Sequence, residues 1–163
     1  MVNKMKRFIF TVLVLSVFGL SPVMAAQEST ANFKVSHIAS PFEKIIEKIR
    51  LKFKYNNNDK ADYLRYILEN RLAELVYVVS VSKIDDIETT ASRYNTYELS
   101  VVNFIVQTNL VSQRDKLIAD LERHRQVIEK LQENFKFESG WWLAIQHDIN
   151  SIKDSLVRLE SLR

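Results

Sequence analysis

No cysteine occurs in the 163 residues, and the chain has only two glycines and two prolines. Without cysteine there is neither a disulfide scaffold nor a thiolate zinc site, and no lipid-anchored cysteine can follow a leader. A β-sandwich or barrel of this length needs many turn residues, and four do not suffice. Disordered and collagen-like chains need far more proline, glycine or serine. Charged residues make up 26% and apolar residues 47%. This composition predicts one all-α domain, since the length allows about one.

The first 25 residues read as a secretory signal peptide. Lys4, Lys6 and Arg7 form the positive start, Phe8 to Leu20 the apolar run, and Ser21-Pro22 its break. Small residues at Val23 to Ala26 place cleavage near Ala25. The competing reading is an uncleaved membrane anchor, but a span needs about 20 apolar residues and this run is shorter. Without the leader's three basic residues, 20 basic and 20 acidic side chains remain. That balance gives no footprint for nucleic acid. Lys44, Lys48, Arg50, Lys52 and Lys54 make one segment locally basic, a pattern read as a solvated helix face.

Residues 26–39 are polar and aperiodic and read as a flexible leader. A single helical domain is expected over 40–163, with helices at about 41–54, 59–81, 84–108, 110–137 and 141–162. Ser40, Pro41 and Glu43 make a capping box with proline at the first helical position. Phe42, Ile45, Ile46, Ile49 and Phe53 then follow at helical spacing. Asn56 to Asp59 suits the entry to the second helix, whose apolar side runs through Ala61, Leu64, Leu68, Leu72, Leu75 and Val79. Its β-branched tail, Val76 to Val79, has no partner strand and stays helical. Ser82 with Asp85 looks like a further cap.

Ile84, Ile87, Ala91, Tyr94, Glu98, Val101 and Ile105 step by three and four, as in a heptad seam. Leu117, Leu121, His124, Ile128, Leu131 and Phe135 repeat that rhythm, as do Trp142, Ile145, Ile149, Ile152, Leu156 and Leu159. Whether Thr108-Asn109 interrupts the third and fourth helices is left open by the sequence. Gly140 suits the left-handed residue that closes the fourth helix. Long helices with tight turns pack as hairpins, so the expected product is an elongated antiparallel helical bundle with a short Pro-led first helix.

Ser40-Pro41-Phe42, Glu47, the apolar stretch to Phe53, Lys60-Ala61 and Arg71-Leu72-Ala73-Glu74 resemble the bacterial domain of unknown function 5667 family. The resemblance covers about residues 40 to 80 and continues more weakly to the tyrosines of the third helix. It implies an exported or membrane-tethered helical protein and brings no agreed activity. The bulky Tyr63, Tyr66 and Tyr77 depart from its pattern.

Glu98 on an apolar seam needs a partner, because a buried lone carboxylate is costly. Folding the second helix back near Ser82 brings Arg71 close to it, so Arg71 is expected between Glu47 and Glu98 as a structural ion-pair centre. His124 and His147 fall about 9 Å apart along a hairpin folded at Gly140 and cannot share a metal ion. No metal or other cofactor is expected, and no nucleophile, phosphate loop or metalloprotease spacing is present. Trp142 begins the last seam and reads as core, which turns Trp141 toward a neighbour or solvent as a possible interaction surface.

The expectation is an exported, non-catalytic structural or protein-interaction module of the cell envelope. It would use helix faces for a protein partner or self-association and keep no membrane span after cleavage. The alternative is an extracytoplasmic module sensing a small ligand, a metal or stress.

Overall fold

The computed structural model describes residues 37–162, so the expected signal peptide and most of the leader lie outside the described residues. Five helices follow in order: α1 (Pro41–Lys52), α2 (Asn57–Ser80), α3 (Ile84–Thr108), α4 (Val111–Gln132) and α5 (Gly140–Glu160). Among the described residues there is no strand. No helix among them is long and apolar enough to cross a membrane.

The helix ends show how a glycine-poor chain makes turns. Ser40 accepts from the Glu43 amide while Glu43 accepts from the Ser40 amide, which completes the capping box of α1. The α2–α3 and α3–α4 turns use left-handed residues that are not glycine: Ser82 at φ 56° and Asn109 at φ 49°. At each, the following amide reaches back five residues, Lys83 to Val78 and Leu110 to Ile105, closing the helix C-terminus. Ser82 is therefore a helix stop and not the expected cap, and Lys83 begins α3 without a side-chain cap. Asn109 breaks α3 from α4.

The fourth helix ends five residues earlier than the expected 137, at Gln132, where the Asn134 side chain binds the Leu131 carbonyl. The left-handed residue before α5 is Glu138, at φ 61°. Gly140 is instead the first residue of α5, and Ser139 caps that helix through the Trp142 amide. With three left-handed positions and one glycine among the described residues, the chain places serine, asparagine and glutamate there.

Helices α2 to α5 form a four-helix bundle of two antiparallel hairpins, α2–α3 and α4–α5. The hairpins lie side by side, α2 running parallel to α4 and α3 parallel to α5. Every polar tie between these parallel pairs joins residues 53 to 55 apart: Asn58 to Ser112, Arg65 to Asp120, Glu69 to Arg123, Glu98 to Ser151 and Asn103 to Arg158. The core between them holds Leu64, Leu68, Leu72, Ile87, Tyr94, Val101, Ile105, Leu117, Leu121, Ile128, Ile145, Ile149 and Ile152, nearly all on the expected seams.

In α2 the run Arg71 to Leu75 is buried without a break. Five consecutive residues point in every direction around a helix of 3.6 residues per turn. Its two bundle neighbours, α3 and α4, could not enclose that stretch alone, and α1 covers the remaining side. Helix α1 itself contains no buried residue. Phe42, Ile45, Ile49 and Phe53 lie exposed on its outer side, Ile46 and Leu51 are half-buried, Leu51 against the core, and an ion pair of Glu47 with Arg71 ties the helix to α2.

Candidate functional site

That contact is centred on Arg71, which is fully buried. One terminal nitrogen of its guanidinium donates to Glu47 of α1, and the other donates to Glu74 one turn along α2. The plane of the group lies over the Tyr97 ring of α3, 4.8 Å from its centroid. Glu74 also accepts from Arg93 of α3 at 3.1 Å and from the Ala39 amide at 3.2 Å. One cluster thus ties the entry segment, α1, α2 and α3 together. Removing charges from water is repaid only when the remaining polar atoms are satisfied, and here two arginines face two glutamates. Burial pushes the Glu47 carboxyl up, against the pull of Arg71.

Beside this clasp, between α1 and α2, is a cleft of about 370 Å³ lined by His37, Glu43, Ile46, Arg50, Tyr63 and Tyr66, among others. The Tyr63 hydroxyl and the Arg71 Nε are buried without a hydrogen-bond partner.

Glu98 is not part of the clasp. Tyr97 takes the face of α3 that meets Arg71, and one residue on, about 100° around the helix, Glu98 faces α5. It accepts there from Ser151 Oγ at 2.6 Å, while its other oxygen has no partner. Asp148 of α5 is buried nearby, also with one oxygen unpartnered. Burial, with the Glu98 charge behind it, raises the Asp148 carboxyl to about 8. Burial also raises Glu98, against the Ser151 hydrogen bond. This second cluster lives by protonation rather than pairing.

A third polar line crosses the bundle from α2 to α3. Glu69 accepts from Arg123 and from His124 Nε2, and His124 Nδ1 lies 3.0 Å from the Tyr94 hydroxyl. A carboxylate only accepts, so His124 donates through Nε2, and its Nδ1 accepts from the Tyr94 hydroxyl. Burial tends to raise Glu69, but the hydrogen bonds from His124 and Arg123 outweigh it and hold the carboxyl at about 2. His124 is thus a satisfied core residue. No group of three His, Asp or Glu among the described residues stands close enough to hold a metal ion.

Trp141 is 40% exposed and rests against Phe135, with ring centroids 6.3 Å apart. Trp142 is half-buried, its ring meeting the edge of Phe137 at 4.8 Å; it is not the core residue expected.

The clasp residues Glu47, Arg71 and Glu74 lie within a match to the family described as Domain of unknown function (DUF5667), which spans residues 41–138. The chain belongs to this family. The DUF5667 match reaches well beyond the stretch that carried the resemblance and takes in α1 through α4 and the start of the last turn. It contains the whole clasp and the Glu69–His124–Tyr94 line, and it stops before Trp141 and Asp148. The fourth wall of the bundle, α5, therefore lies outside the DUF5667 segment although the core requires it. No curated protein and no solved structure matches the chain.

Sequence reasoning missed Glu74 and Tyr97 as partners of Arg71, and Arg93 as a partner of Glu74. Glu74 sits three residues from Arg71, a spacing that puts two helical side chains on one face, and this was the readable signal. Asp148 and Ser155 also had one: 145, 148, 152, 155 and 159 step by three and four as well as the apolar set does, and all five are buried.

Proposed function

We propose that this DUF5667 protein is an exported, non-catalytic interaction module of the cell envelope that holds α1 at its surface. The observation that carries the reading is the orientation of α1. Its inner side is bolted to the bundle through Glu47 and Arg71, and Phe42, Ile45, Ile49 and, at its end, Phe53 face solvent. Exposed contiguous apolar faces mark contact sites. The leader-like first 25 residues support export. Trp141 offers a second, smaller contact surface.

The test is crosslinking in intact cells with a photoreactive residue at position 49, followed by fractionation and mass spectrometry of the products. The expected outcome is an extracytoplasmic product whose amino terminus lies near Ala26, with adducts formed at position 49. A cytoplasmic product with an intact leader and no adduct would overturn the reading.

A small-ligand reading is favoured by one observation, the cleft beside Arg71 with its unpartnered Tyr63 hydroxyl. A rise in melting temperature with a metabolite pool, abolished by Tyr63→Phe, would support it.

A further inference from the structure

The outer face of α1 has a definite composition. Phe42, Ile45, Ile49 and Phe53 are 68%, 53%, 48% and 67% exposed. At 100° per residue the four fall within an arc of about 80° and run about 16 Å along the axis. The two carboxylates of the helix are turned away from this stripe. Glu43 is held by Ser40 and His37, and Glu47 by Arg71. The same projection puts Lys48 and Lys52 along one flank of the stripe and Arg50 along the other. No ion pair among the described residues uses Lys48 or Lys52. Tyr55, 88% exposed, follows the helix end.

We propose that this face of α1 docks on an anionic lipid bilayer, lying in the plane of the interface with the stripe inserted and the basic flanks on the headgroups. An amphipathic helix with phenylalanine and isoleucine on one side and lysine beside them is the pattern that binds such surfaces. Charge decides against a second copy of the chain. Two α1 faces laid together would press Lys48 and Lys52 of one against the same basic flanks of the other, whereas anionic headgroups neutralise them. The clasp gives the face a fixed direction, so the helix need not detach to bind. The proposal rests on reading the chain as an interaction module, and it names the partner of that same face.

The absence of cysteine lets one label at a time report on this face in the full chain. Ile49→Cys and, on α4, Glu122→Cys each carry one nitroxide label, and power saturation reports whether the label sits in water or hydrocarbon. Vesicles of phosphatidylglycerol mixed with phosphatidylcholine should bury the label at position 49 and leave that at 122 in water, and pure phosphatidylcholine should bury neither. Lys48→Glu with Lys52→Glu, both at exposed positions, should raise the lipid concentration for half-burial about tenfold or more while circular dichroism stays unchanged.

A label at 49 that stays wet on anionic vesicles, or is buried equally by neutral ones, overturns the proposal. So does one immobilised without lipid, which would mean a second copy or the chain's own leader covers the face. If the label stays wet on vesicles but solubilised envelope protein immobilises it, the lipid surface fails and the interaction module stands. If nothing alters it, both fail.

Discussion

Arg71 and Glu74 at the centre of the clasp are as deeply buried as Asp148 and Glu98, yet the two sites stay buried by opposite means. Around Arg71, two arginines, two glutamates and a tyrosine face from three helices neutralise one another, and nearly every polar atom has a partner. Between α3 and α5, Asp148 is buried within reach of the Glu98 charge, with one serine hydrogen bond to Glu98 and one orphaned oxygen on each carboxyl. The first site needs its charges. The second is stable only while a proton removes one of them, because two neighbouring buried carboxylates cannot both ionise cheaply. Equal burial therefore says nothing about pH response; the sign of the neighbouring charge decides it.

The sharpest way to break this contrast is to remove the centre of the clasp. Arg71→Met leaves Glu47 and Glu74 without their shared cation in a closed site, and the expected loss is about 3–5 kcal/mol in urea unfolding. Adding Glu47→Gln and Glu74→Gln should recover much of it, because the orphaned charges are then gone. A loss below about 1 kcal/mol for Arg71→Met alone would show that the clasp is solvated and the contrast false.

Asp148 should move stability the other way. Its carboxyl titrates at about 8 when folded against an ordinary 3.8, so the native state holds a proton that the unfolded chain has released. Its contribution is fully present below pH 3.8 and declines as pH rises to about 8, at about 1.4 kcal/mol per pH unit between. Asp148→Asn keeps the shape without the charge and should flatten the fall between pH 5 and 8, leaving the variant the more stable form at pH 8. Parallel slopes for the two proteins would place the titration elsewhere.

The smallest effect belongs to Glu69, which is half-exposed. Its carboxyl sits at about 2 against 4.5, so its stabilisation is present above pH 4.5 and disappears as pH falls toward 2. Glu69→Gln should cost about 1 kcal/mol at pH 7 and nothing at pH 2. Together with Asp148, whose contribution falls above pH 3.8, it places the maximum that these two groups give at about pH 4, an optimum each single variant should widen on its own side.

Helix class and most of the core were legible because periodicity is a local property. Ile87, Tyr94, Val101, Leu121, His124, Ile128 and Ile145 all lie on the inward faces their three-and-four steps predicted. The capping box of α1 was equally local, written in Ser40, Pro41 and Glu43. The turns were harder: Ser82 and Glu138 take the left-handed conformation without being glycine, so the usual signal pointed at Gly140 instead. The candidate site was half legible. Glu47 and Arg71 could be named from the motif-bearing stretch, but Glu98 could not be assigned correctly. One residue of rotation on α3, from Tyr97 to Glu98, separates facing Arg71 from facing α5.

Spacing along one chain was enough to specify a set of amphipathic helices, where most of them begin, and which apolar residues of α2 to α5 face inward. The parallel register of the two hairpins, the pairing of each carboxylate with its cation, and the exposure of Phe42, Ile45 and Ile49 on α1 depend on how the helices pack. A helix with one apolar side records that it has two faces. Which face is buried depends on what the neighbour offers, and at this junction α2 offers a buried arginine that binds Glu47 of α1 and leaves Phe42, Ile45 and Ile49 outside.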